Sequence, residues 1–381
     1  MTAALLPANP FRWSLRWATD VRTAADGTEQ REALAVYPRE AFSGSFYLPD
    51  ASYATIRQML SAGPTGLFEL PLVHEVVASV NAITSTTITI TATYAEWNTA
   101  GRRILVVGPS GNGYKTTISS VGGGGATLTV GDSPPGGESY PAGLTMIWPL
   151  ENVLLEDGQQ LGRWPVNAGR WSYSARQTTA RAMAGTGASV TTFDGLPVLD
   201  RRPLGAEASE RVRSGVTISD AGGAVAGSTL WDRSQHVRAG NGWRITGPAD
   251  RQWWRAFLAG QRGQLGAFLF PTWRPDLTID TQPSSGDSVI EVVEDYEALW
   301  WPSLAHRRLQ FELTDGSVLY FAVDSATAGA ITIDGTWPSA AAVAKVSFLE
   351  TCRLESDVAT IEYGPGWIGR VSLAAVVVQE A

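Results

Sequence analysis

The stretch LENVLLED at residues 150–157 has a second copy, LETCRLES, at residues 349–356, and the two share Leu, Glu, Leu and Glu at four of eight positions without a gap. Other segments recur around this pair in the same order, about 200 residues apart, which is the mark of an internal duplication. TTITI at 86–90 and SVIEV at 288–292 both alternate as half-buried strands do, with successive side chains on opposite faces. ATLTVGD at 126–132 parallels GAITIDG at 329–335, and Tyr140-Pro141 parallels Trp337-Pro338. Tyr94, Trp97 and the pair Arg102-Arg103 find counterparts in Tyr296, Trp300 and Arg307-Arg308.

Upstream, each copy carries a helix followed by a strand. ASYATIRQML at 51–60 places Tyr53, Ile56 and Leu60 on one helical face, and DRQWWRAFLAG at 250–260 is its partner, with Arg57 matching Arg255 and Leu60 matching Leu258. Each helix leads to an apolar strand ending at proline, GLFELP at 66–71 and GAFLFP at 266–271. The pattern predicts a mainly β protein made of two tandem units, each a helix-plus-sheet body with one helix, interrupted by an all-strand insert.

The expected divisions are a first unit at 1–76, a first insert at 77–149, and the end of that unit plus a connecting arm at 150–190. A second unit follows at 191–274, a second insert at 275–348 and closing strands at 349–381. Short strands with Gly-rich turns suggest that each insert closes as a small β-barrel, OB-like or galectin-like, since closure removes exposed edges. Residues 158–190 mix polar residues, Gly and isolated Trp without a period and read as an extended arm. The N-terminal LLPANPFRWSLRW at 5–17 reads as a swapped strand or an assembly-dependent arm.

Composition narrows the function. An apolar content of 44% supports real cores, and 40 Gly with 21 Pro suits many short strands joined by tight turns. A net charge of -8 argues against gripping nucleic acid, which needs clustered Lys and Arg. The single cysteine, Cys352, leaves no internal disulfide framework and no CxxC metal or redox site. No run of apolar residues is long enough to span a bilayer, and the N-terminus lacks a signal-like stretch, so the expectation is a soluble protein made in the cytoplasm, without membrane contact.

Reactive motifs each have a plainer reading. VVGPSGNGYKTT at 106–117 resembles a phosphate-binding P-loop, but Tyr114 separates Gly113 from Lys115 and strand-like sequence follows where a helix is needed. Its counterpart, LTDGSVLY at 313–320, is a hairpin signal, and a hairpin turn is expected in both. His74, His236 and His306 have no metal-ligand spacing and read as surface or turn residues. There is no GxSxG elbow for a Ser nucleophile. Glu294-Asp295 imitates a glycosidase acid pair, although solvated turn charges are the commoner origin of such a pair. No catalytic, metal or cofactor residue is expected, and the chain is taken as a non-enzyme.

Fifteen tryptophans invite interfaces or sugar stacking. Adjacent helical positions point in different directions, so Trp253 and Trp254 are not expected to face one core, and at least one ring is expected to cover another element or a partner subunit, with the partner favoured. Trp164 and Trp171 in the expected arm are further candidate interface residues. A carbohydrate-binding alternative would use Trp97, Trp300 and Trp301 on the inserts.

TFDGLPVLDRRP at 192–203, then a β-rich stretch with a Gly-Gly turn, the helix, and GAFLFPTWRPDL at 266–277 together resemble the distal tail and related minor tail proteins of siphophages. The first copy is a weaker likeness, running from TDVRTAADGTEQR at 19–31 through Tyr37-Pro38-Arg39 to Pro71, without the FDGLPV opening or the TWRPDL ending. The resemblance implies a virion protein of the tail tip, assembled in the host bacterial cytoplasm. It also implies that the two tandem units are belt-like β-sandwich domains, which would join into a ring continuing the tail tube, with the inserts pointing outward. The implied partners are further copies of itself as a trimer or hexamer ring, the tail tube protein, the baseplate hub protein and tail fibres. DNA would pass through the lumen without specific binding, and acidic walls would discourage it from sticking. Three duplicated chains would supply six belt units, matching a hexameric tube on one face and a trimeric hub on the other.

Overall fold

In the computed structural model, residues 2–3, 6–23, 29–61, 67–91, 97–164, 168–178, 189–204, 209–213, 216–220, 225–229, 235–239, 242–299, 306–364 and 368–378 are described. In the first half, β1 (Thr2–Ala3) and β2 (Leu6–Arg16) precede a hairpin of β3 (Thr19–Thr23) and β4 (Glu29–Ala33), then β5 (Arg39–Pro49), helix α1 (Asp50–Ser61) and β6 (Phe68–Pro71). Short strands follow, β7 (Val77–Ala78), β8 (Thr87–Thr89), β9 (Arg103–Val107), β10 (Asn112–Gly122) and β11 (Thr127–Val130). The chain returns on β12 (Met146–Leu155) and the hairpin of β13 (Gln160–Trp164) and β14 (Ala168–Gln177).

The second half opens on a small hairpin, β15 (Thr192–Phe193) and β16 (Leu196–Pro197), and then repeats that order. It runs through β17 (Ser209–Arg213), the hairpin β18 (Val216–Asp220) and β19 (Val225–Thr229), β20 (Gln235–Ala239), β21 (Trp243–Ile245), α2 (Pro248–Gln261) and β22 (Ala267–Pro271). The second insert holds β23 (Val289–Glu291), a short helix α3 (Tyr296–Leu299), β24 (Arg308–Leu313), β25 (Val318–Thr327) and β26 (Ala330–Ile333). The closing strands are β27 (Val343–Leu354), β28 (Val358–Tyr363), β29 (Gly369–Ser372) and β30 (Ala374–Val377). The fold is mainly β, with antiparallel sheets.

The two halves share their ladder registers. Pro71 faces Leu150 as Pro271 faces Leu349. Ile104 faces Pro149 as Leu309 faces Phe348. Even the irregularities coincide, since the β10–β11 ladder slips between Ile118 and Ser120 and the β25–β26 ladder slips between Val323 and Ser325. A bulge bends its strand and strengthens the twist, so placing one at the same point curls both inserts alike.

Each insert has its own core. Ile88, Trp97, Ile104, Val106, Ile118 and Ile147 fill the first, and Ile290, Tyr296, Leu309, Phe311, Ile331 and Trp337 fill the second. The expected closed barrel is not formed as a continuous ladder. Each insert is a curled antiparallel sheet whose first and last strands are tied through one short extended segment, by the single bridges Ser79–Ile90 in one copy and Leu277–Val346 with Ile279–Val292 in the other.

The belts do not form separate sandwiches with separate cores. One cluster draws Trp13, Phe42, Trp171 and Leu150 from the first half and Trp243, Trp254, Phe268, Cys352 and Ile361 from the second. The expected arm is likewise corrected, because β14 is an interior strand paired along Ala168–Arg176 with β5 and at its end with β12. The N-terminal segment is also interior. Residues Leu6–Arg16 pair with β5 on one side and with β28 on the other. Alternation explains this placement, since Phe11, Trp13 and Leu15 are buried while Arg12 and Arg16 face outward.

Candidate assembly interface

The belt strands run in the order β13, β14, β5, β2, β28, β29, β21. Beyond Leu373, β30 continues from β29 and pairs with β20, which in turn pairs with β17. Thus the first half contributes β13, β14, β5 and β2, and the second contributes the corresponding β28, β29 with β30, β20 with β21, and β17. The junction between the halves is the ladder between β2 and β28, with Trp13 opposite Ile361 and Ser14 opposite Thr360.

Polar groups knot this junction. The Asp357 carboxylate accepts hydrogen bonds from the Thr19 amide (2.6 Å), the Thr19 hydroxyl (2.8 Å) and the Gln264 amide (2.9 Å). The Trp17 amide donates to the Asp357 carbonyl at 2.9 Å. Ser14 and Thr360 hydroxyls meet at 2.9 Å, and Arg12 pairs with Glu362 at 3.0 Å on the surface. Behind the ladder, α2 of the second half reaches into the first, where the Arg255 guanidinium pairs with the buried Glu75 carboxylate and Arg251 donates to the His74 carbonyl. Arg255 also lies 4.9 Å over the Trp13 ring, whose Nε1 donates to Glu40 at 2.9 Å. A buried pair of this kind is tolerated because further hydrogen bonds and an aromatic face replace lost water.

α2 is placed for this contact by local sequence. Pro248 occupies its first turn, where a missing N–H costs nothing, and Arg262 in the left-handed conformation followed by Gly263 ends it. Trp253 and Trp254 are both buried, at 3% and 1% exposure. The assignment of one ring to a partner subunit is therefore corrected: Trp254 packs on Trp243 and Phe257, while Trp253 stacks on Phe257 and is capped by Arg201 at 4.9 Å. What covers the second ring is the LDRRP segment of the same chain. Trp171 is fully buried too, against Phe46 and Phe68, with its Nε1 donating to Gln159. The side chain of Trp164 lies outside the described residues.

Trp97 is corrected as a sugar contact, since its ring lies in the first insert's core and its Nε1 donates to the Glu75 carbonyl. Trp300 and Trp301 lie outside the described residues. A groove of about 480 Å3 elsewhere brings Trp273 and Tyr320 beside Asp200, Arg202 and Glu312.

The P-loop-like string forms the hairpin between β9 and β10, turning at Gly111 with φ +80, and its counterpart turns at Gly316 with φ +85. Lys115 is held by Glu69 at 2.8 Å. Asp295 caps the Ala298 amide, and Glu294 accepts from the Thr278 amide, so both serve backbone turns. Burial pushes the Glu294 carboxyl up, but the hydrogen bonds from Thr278 outweigh it and hold the group below its ordinary range. His74 is not at the surface as expected: it is buried among Phe11, Trp13 and Tyr363. The side chain of His236 lies outside the described residues, and His306 is half-buried against Phe348. Among the described residues, no three His, Cys, Asp or Glu side chains gather as metal ligands.

The FDGLPV motif also acquires a structural role. Asp194 and Gly195 both take positive φ, as the type I′ form of a two-residue hairpin turn requires, and the following Val198 bridges in parallel to Leu269 of β22. Sequence reasoning missed Asp357 and Asp157, whose equivalence appears when LENVLLED and LETCRLES are extended by one residue across the inserted Ser356.

No protein-family model matches the chain, and no curated protein matches it.

Proposed function

We propose that this chain is a non-catalytic structural virion protein of a siphophage tail tip, in which its two belt halves form part of a ring joining the tail tube to the hub and fibres. The observation that carries this reading is the continuous belt sheet. Two halves of equivalent register lie side by side on one shared core, and each sends out a separately cored insert. Such a body suits a wall segment, because the sheet supplies rigid lateral continuity while the inserts add to one unit without interrupting it. The FDGLPV and TWRPDL motifs support the tail assignment. Both are structural here, one as a hairpin against β22 and the other as the entry to the second insert, where Asp276 accepts from the Phe348 amide.

Antibodies raised against the purified chain test this reading on tailed particles produced by cells that express it. Gold label confined to the distal end of the tail is the expected result. Label on the head, or none on particles whose other tail proteins are detected, would overturn it.

A further inference from the structure

The belt of a single chain has two edges, and each is the counterpart of a strand that is already paired at the internal junction. Among the described residues β13 pairs with β14 alone and β17 with β20 alone. Their equivalents have a second neighbour: β28 corresponds to β13, β2 corresponds to β17, and those two pair with each other.

The equivalence is fixed residue by residue. Gln160 faces Ser172 as Thr360 faces Ser372. Ser14 faces Ala41 and Ala41 faces Arg176, as Arg211 faces Val237 and Val237 faces Val376. Gln160 therefore stands where Thr360 stands, and Arg211 stands where Ser14 stands.

We propose that β17 of one copy pairs antiparallel with β13 of a second copy, in the register that places Arg211 opposite Gln160 and Ser209 opposite Gly162. The contact is a repeat of the internal junction, so it is head-to-tail and each new copy presents a fresh edge. Such a series closes into a ring when its rotation divides a full turn. Val212 is 56% exposed on this edge, and main-chain pairing of edge strands supplies affinity without a large apolar patch.

A second feature fits the same register. Asp357 clamps Thr19 across the internal junction. Its counterpart Asp157 is exposed and has no hydrogen-bonding partner among the described residues, and the counterpart of Thr19 is Val216, which faces Thr229 as Thr19 faces Ala33. Asp157 is placed to accept from the Val216 amide of the second copy.

This contact gives the ring of the proposed function its partner and register, yet it rests on the chain's own repeat and can fail separately. The test uses the full chain carrying Gln160→Cys and Arg211→Cys. The natural Cys352 is fully buried and does not compete. Mild oxidation is expected to give reducible covalent multimers ending at one discrete size, and the off-register pair Gln160→Cys with Ser209→Cys is expected to give few. Asp157→Ala should leave the monomer's unfolding unchanged and raise the concentration for half-assembly by about tenfold. A chain that stays monomeric at every concentration, both alone and with tube and hub proteins added, or rings that form without the 160–211 bond, would overturn the inference, and the second result would leave the tail-tip reading standing. Multimers linked at 160–211 alongside failure to label the tail tip would keep the inference and sink that reading.

Discussion

The Asp357 carboxylate sits 2.6 Å from the Thr19 amide and so fastens the closing strands of the second half to the entrance of the first. It serves three donors at once, on Thr19 and Gln264. Asp357→Ala is expected to lower stability by about 2–3 kcal/mol, because charge-assisted hydrogen bonds are lost and their donors are left behind. Chemical denaturation of the variant against Asp157→Ala measures this. Equal losses at the two positions would mean that the clamp contributes nothing special at the junction.

Gly169 allows α1 to lie on the belt. A Cβ there would collide with the Tyr53 ring and come within 2.9 Å of the Gly162 carbonyl. Gly369 is its counterpart, crowded by Tyr363 at 2.9 Å and Ile245 at 3.0 Å. Gly169→Ala should cost about 1–3 kcal/mol through overpacking, and removing the Tyr53 ring in the same chain should recover part of that loss. Thermal unfolding of the single and double variants decides the point.

The buried pair of Glu75 and Arg255 crosses between halves and is 5–6% exposed at both side chains. Glu75→Gln is expected to destabilise by about 3 kcal/mol, since it removes the carboxylate facing a buried guanidinium. The double variant with Arg255→Met should lose less than the two single losses added together. Additive losses would show that the groups are not coupled.

At the base of the second insert, burial pushes the Asp276 carboxyl above its ordinary value of 3.8, against opposing hydrogen bonds from Thr272 and Phe348. The fold disfavours the ionised form, so its cost is absent below that ordinary value and grows as pH rises through the raised one. Asp276→Asn keeps an acceptor for the Phe348 amide. Its melting temperature relative to the parent should therefore rise from acidic to neutral pH and converge near pH 3.8. A constant difference across this range would contradict the account.

Much of the fold could be read from paired strings. LENVLLED and LETCRLES hold the same ladder positions because a strand's register is locked once one face is buried, and a slip would turn every side chain around. The curl of the inserts was legible as many short strands, whereas their incomplete closure depends on single bridges that no periodicity records. β14 looks like an arm in sequence because AGRWSYSARQ alternates Trp171, Tyr173 and Ala175 with polar residues and has few aliphatic ones. The tryptophans of α2 misled for a different reason. Helical geometry does separate Trp253 from Trp254, but the outer face was covered by Arg201 from a segment fifty residues earlier, a contact that local spacing cannot reveal. The equivalence of the edge strands to a paired junction lies in the strand order of the whole belt, which no single segment carries.

Whether the chain builds a ring from repeated belt halves is decided by the mass and symmetry of the purified protein in mass photometry and electron microscopy. Closed particles with a central hole and a mass that is three or six times the 40.7 kDa chain are expected, formed alone or on addition of tube and hub proteins. A strict monomer under both conditions, or a closed dimer joined through a surface other than β13 and β17, would contradict it.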